Sequence, residues 1–126
     1  MADPAADLER ESLTPTHWAA IGLAAVTAVV HLALGLSFLP HWMGGAFLVA
    51  TAGFLLGIWL VLADRRRRLV YLVGIPFTGA QIVLWYVVNE PSGLADLTVA
   101  GAVDKVAQTL LLVALVTLLV SEDDDP

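Results

Sequence analysis

This chain has no cysteine and a single lysine, Lys105, among 126 residues. Without Cys, disulfides, thiolate catalysis and Cys-ligated metals are excluded. Charge of any kind is scarce. Charged residues make up 14% of the chain and hydrophobic residues 59%, against roughly 25% charged in a soluble domain. The charges that exist avoid four long apolar stretches and cluster in residues 1–11, 64–68, 90–105 and 122–125. No internal repeat or linker is evident, so one folding unit is expected.

The four apolar stretches predict an all-α transmembrane four-helix bundle with spans of about 18–39, 43–63, 69–89 and 97–120. A span of about 22 residues rises roughly 33 Å, enough to cross a hydrocarbon core. The first stretch is too long for a signal-peptide core, and its flank is acidic rather than basic, so it is read as a retained helix. Thr14-Pro15-Thr16 supplies its cap and first turn. Pro40-His41 ends it, and so short a connection makes spans one and two antiparallel neighbours. Asp64 and Arg65 to Arg68 end span two. Pro76 in span three has no N–H for the Leu72 carbonyl, which predicts a kink. Residues 1–15 and 121–126 read as acidic tails, the first disordered.

Orientation follows from the Lys/Arg distribution. One side of a four-span map carries Arg10, Arg65, Arg66, Arg67 and Arg68, and the other carries only Lys105. Both termini are therefore expected in the cytoplasm. Trp18, Trp59 and Tyr71 fall near the inner interface on this map, and Trp42, Trp85 and Tyr86 near the outer one, as aromatic belts require. The Arg run can also attract anionic headgroups, although a topology signal alone accounts for it.

Two small-residue stripes suggest how helices meet. Span one carries Ala24, Ala28 and Gly35, and span two carries Ala46, Ala50, Gly53 and Gly57. Close backbone approach through small residues is a main route to helix association in lipid. The expected seam joins spans one and two, and the same stripes could instead join copies of the chain.

Polar side chains at membrane depth carry whatever chemistry is present. His31, Thr51, Gln81 and Gln108 fall at overlapping depths in the outer half, with Asp104 one turn above Gln108. Two readings follow. One is a hydrogen-bonded cluster that fixes helix register. The other is an outward-facing polar cavity, lined by His31, Gln81, Gln108 and Asp104, that passes a small solute or ion. Haem is disfavoured. His17 and His31 have the fourteen-residue spacing of stacked haems, but no other span offers a facing histidine. There is no carboxylate inside the first three spans, no intramembrane lysine for a Schiff base, no phosphate-binding loop and no HExxH. No cofactor, no metal, no nucleic-acid partner and no enzymatic activity are expected. The expected partners are the bilayer and either a second copy or a larger membrane complex.

The blocks His17-Trp18, His31 to Gly35, Phe38 to Gly44, Leu72 to Phe77 and Gln81 to Tyr86 resemble a family of short haloarchaeal four-span membrane proteins of unknown function, over about residues 16–120. The resemblance implies an archaeal, multi-pass cell-membrane protein and carries over no activity. A net charge of −6 fits the same picture, because dense carboxylates keep surfaces hydrated at high salt. Two plain polar tails would carry the same charge. The expectation is a non-enzymatic accessory or structural, self-associating membrane component.

Overall fold

The computed structural model describes residues 12–90, 93 and 97–124, with residues 123 and 124 as backbone only. Residues 1–11 with Arg10, residues 91, 92 and 94–96, and the end of the acidic C-terminal tail lie outside the described residues. Four helices follow one another: α1 Pro15–Phe38, α2 Trp42–Leu62, α3 Arg67–Asn89 and α4 Val99–Asp124. All four are long and apolar enough to cross a membrane.

Each boundary has a local cause. Thr14 caps α1 in a capping box closed by His17. The His17 N–H donates to Thr14 Oγ1, and the Thr14 N–H donates to His17 Nδ1 at 3.0 Å. Pro15 occupies the first turn, where its missing N–H costs nothing. The helix therefore starts three residues before the apolar run does. His41 caps α2 by accepting the Met43 N–H on Nδ1 at 3.1 Å. The α2–α3 corner holds two non-glycine residues in the left-handed region, Asp64 (φ 53°) and Arg66 (φ 55°). Thr98 Oγ1 accepts the Gly101 N–H at the start of α4. That helix runs past the expected end at residue 120, so the first part of the C-terminal tail, Ser121–Asp124, is helical.

Around the bundle the order is α2, α1, α4, α3. Contacts are most extensive between α1 and α2, then α1 and α4, then α3 and α4, and α2 barely meets α3. The core is Ala20, Ala24 and Ala28 of α1, Phe54 and Val61 of α2, Tyr71 of α3, and Leu111, Ala114, Leu115 and Leu118 of α4. Large apolar side chains such as Val29, Leu36, Val83, Val87 and Val113 point outward, where a bilayer rather than water suits them.

The α1–α2 seam differs from the expected one. Its tightest point is Gly35 against Gly44. A Cβ on Gly44 would stand 2.8 Å from the Gly35 carbonyl oxygen and 2.8 Å from the Leu39 nitrogen. The buried face of α2 is Gly44, Thr51, Phe54 and Val61. At 3.6 residues per turn this face lies about 100° from the stripe Ala46, Ala50, Gly53 and Gly57. Gly53 and Gly57 instead turn toward α3, where their Cβ positions would meet Phe77 and Val70. Ala46 is exposed and Ala50 half-buried, whereas Ala24, Ala28 and Gly35 are buried on α1. The physical reason is that Thr51 and Phe54 compete for the interior and turn the small stripe away from α1.

Candidate functional site: a polar cluster across three helices

The buried face of α1 carries Thr27 and His31 one turn apart, and α4 carries Asp104, Lys105 and Gln108 within one turn. Thr27 and Gln108 are 0% exposed and Asp104 is 3% exposed. The Thr27 hydroxyl is the hub. It donates to Asp104 Oδ1 and accepts from Gln108 Nε2 at 3.3 Å. Gln108 also donates to Gln81 Oε1 of α3 at 2.9 Å. Gln81 spends its own N–H on the Phe77 carbonyl, at 3.0 Å. Three helices are thereby tied by side-chain hydrogen bonds.

Charge in the cluster cancels. Lys105 Nζ lies 3.0 Å from Asp104 Oδ2, donates to Gln108 Oε1, and sits 5.9 Å from the centre of the Trp85 ring. A carboxylate and an ammonium form a neutral unit, which is the affordable way to keep either away from water. His31 Nδ1 is 2.8 Å from the Thr27 carbonyl and 3.6 Å from Asp104 Oδ1. A carbonyl can only accept, so Nδ1 carries the proton and gives it to the backbone. The longer separation lies outside hydrogen-bond range. The His31 ring is packed against Phe47 (5.5 Å) and Phe54 (5.8 Å).

The residues expected from sequence are thus only partly assembled. Gln81, Asp104 and Gln108 meet, and His31 flanks them. Thr51 does not join, because its hydroxyl donates to the Phe47 carbonyl of its own helix at 2.9 Å. Two members were not anticipated. Thr27 sits four residues before His31 on the same buried face, and that spacing was the available signal. Lys105, read from sequence as the lone cation of the outer side, folds inward onto Asp104.

The other histidines and the arginine run have local tasks. His17 and His41 cap helices. Arg65, Arg66 and Arg68 are exposed, with the Arg65 guanidinium 5.3 Å from the Trp59 ring centre. Arg67 is buried. Its Nε donates to the Val61 carbonyl at 2.8 Å, its Nη1 donates to Ser12 Oγ at 2.9 Å, and Asp64 Oδ1 lies 3.3 Å from Nε.

One cavity of about 300 Å³ lies in the opposite half of the bundle, among Ala24, Gly57, Val70, Gly74 and Leu115. None of His31, Gln81, Asp104 or Gln108 lines it.

Comparison with known proteins adds no activity. The family of unknown function DUF7475 matches residues 5–119. No curated protein and no protein of solved structure matches the chain.

Proposed function

The chain belongs to that family of unknown function, and from this premise we propose that it is a non-enzymatic membrane component, accessory or self-associating, whose polar cluster locks three helices in register. The observation that carries the reading is the mutual satisfaction of Thr27, Asp104, Lys105, Gln108 and Gln81, a closed hydrogen-bonded set with a neutral ion pair. A pathway needs groups that face an aqueous space and exchange partners. The pathway reading, with His31, Gln81, Gln108 and Asp104 lining an outward-facing cavity, has less support, because the cavity described above lies elsewhere and is lined mainly by apolar side chains.

Variants of His31 separate the two. As a packing residue, His31→Gln should cost less than about 1 kcal/mol, because the amide replaces the N–H donor. His31→Leu should cost about 1–2 kcal/mol, the scale of a lost buried hydrogen bond. Proteoliposomes of wild-type protein should pass protons no faster than empty ones. A flux that disappears in His31→Gln at wild-type stability would establish the pathway instead.

The same proposal places both termini in the cytoplasm of a haloarchaeal cell, supported by the Lys/Arg bias and the acidic balance. Reporters fused at Arg66 and Pro126 should read cytoplasmic and one at Gly93 external. A cytoplasmic signal from Gly93 would refute the orientation.

A further inference from the structure

The α2–α3 side of the bundle is held apart and hollow. The cavity between these helices has a floor of buried residues from all four: Ala20, Ala24, Phe54, Tyr71, Leu111 and Leu115. Its rim is exposed. Leu56 on α2 is 57% exposed and Val73 on α3 is 55% exposed, and both line the space. The opening therefore faces sideways, toward lipid. Gly57 helps make the hollow, since a Cβ there would meet nothing closer than Val70 Cγ1 at 3.7 Å. Apolar spaces of this kind do not hold water, and about 300 Å³ is the lower end of the range for ligand pockets.

One end of the hollow is polar. Val61, which lines it, gives its carbonyl to Arg67 Nε. Tyr71, one turn along α3 from Arg67, lines it as well. Arg67 Nη2 and the Tyr71 hydroxyl are both buried without a hydrogen-bond partner among the described residues. Arg67 and Tyr71, four residues apart, share one face of α3. Both are donors that lack an acceptor, and the Thr78 hydroxyl, farther along the lining, is a third such group. The surrounding charge is cationic, with Arg65, Arg66 and Arg68 exposed at that end, opposed by Asp64 beside Arg67 and by Glu122 on α4.

We propose that the space between α2 and α3 binds one anionic lipid from the leaflet at the Arg65–Arg68 end, its chain along Gly57 and Gly74 and its headgroup oxygens on Arg67 and Tyr71. The chain fills a space too apolar for water, and the headgroup satisfies the Arg67 and Tyr71 donors through a small outward swing of the guanidinium. Bidentate geometry suits an arginine for a phosphate. This assignment is independent of the role of the polar cluster.

Full-length protein, delipidated in mild detergent, is offered phosphatidylglycerol or phosphatidylcholine with identical chains, and retained lipid is counted by native mass spectrometry. The expected result is one phosphatidylglycerol per chain, held at least tenfold more tightly than phosphatidylcholine. Gly57→Leu, which puts a side chain into the space, should lose both lipids. Arg67→Gln should lose the preference between them. Equal retention of the two lipids by wild-type protein would overturn the proposal. So would wild-type retention in folded Gly57→Leu, or a second copy of the chain occupying the site. If Gly57→Leu does not fold, Val73→Trp at the exposed rim takes its place, and unchanged retention there is equally decisive.

Discussion

Asp104→Leu should destabilise the bundle by about 3 kcal/mol, measured as a shift in unfolding in detergent micelles. Asp104 is the shared acceptor of the cluster, taking the Thr27 hydroxyl and the Lys105 ammonium. Removing one member of a buried ion pair costs about 3–5 kcal/mol, mostly because the other charge is left without a partner. Here the low end applies. The Lys105 side chain is 16% exposed, near the start of α4, and can swing toward the interface. Thr27 has no such escape, and neither does its link to Gln108. Asp104→Asn should cost less, about 1 kcal/mol, since an amide oxygen still accepts from Thr27 while the charge attraction is lost. An Asp104→Leu protein as stable as wild type would mean that the cluster contributes nothing to the fold.

Gly44→Ala should cost at least 1–3 kcal/mol, the usual range for overpacking, and Gly44→Leu should prevent α1 from docking on α2. The added Cβ would meet backbone atoms, namely the Gly35 oxygen, the Leu39 nitrogen and the Phe38 carbonyl carbon at 3.0 Å. Side chains can rotate aside, but these atoms move only if the whole helix pair separates. Gly57→Ala makes the contrast. Its Cβ fits at ordinary contact distance, and alanine is favoured over glycine within a helix by roughly 1 kcal/mol, so the variant should be neutral or slightly stabilising. Thermal unfolding of the pair in the same detergent checks the order. A Gly57→Ala protein less stable than Gly44→Ala would return the seam to the Gly53–Gly57 stripe.

That contrast marks where sequence reasoning stops. The four spans were legible because length, apolarity and the Arg65–Arg68 stop are one-dimensional signals, and Thr14-Pro15 announces a helix start. Depth was legible too, since counting along a helix places His31, Gln81 and Gln108 near one level. Rotation about each helix axis was not. In a soluble helix, water fixes the phase by drawing polar residues to one side. α2 is apolar all round, lipid accepts any face, and the phase is set by tertiary packing of Phe54 and Thr51. Gly44 was hidden for that reason, and so was the turn of Gly53 and Gly57 toward α3. The membership of the cluster was obscured differently. Thr51 and Thr27 look alike in sequence, yet one hydroxyl returns to its own backbone while the other crosses to α4, and only the neighbouring helix decides which. Lys105 was missed because its partner, Asp104, precedes it directly, and adjacent residues on a helix do not normally share a face. The long lysine stem overcomes that. The lipid-facing hollow has no linear signature at all, since it is made by side chains that glycines lack and by two helices that stay apart.

The central claim is that the cluster works as a lock between α1 and α4, and a double-mutant cycle between Thr27→Val and Asp104→Leu tests it most directly. If the hydroxyl and carboxylate stabilise the fold through each other, the double variant should be more stable than the sum of the single losses allows, with a coupling of about 1–2 kcal/mol, within the range found for residues in direct contact. Losses that simply add, with no coupling, would contradict the account and show that the two groups act separately.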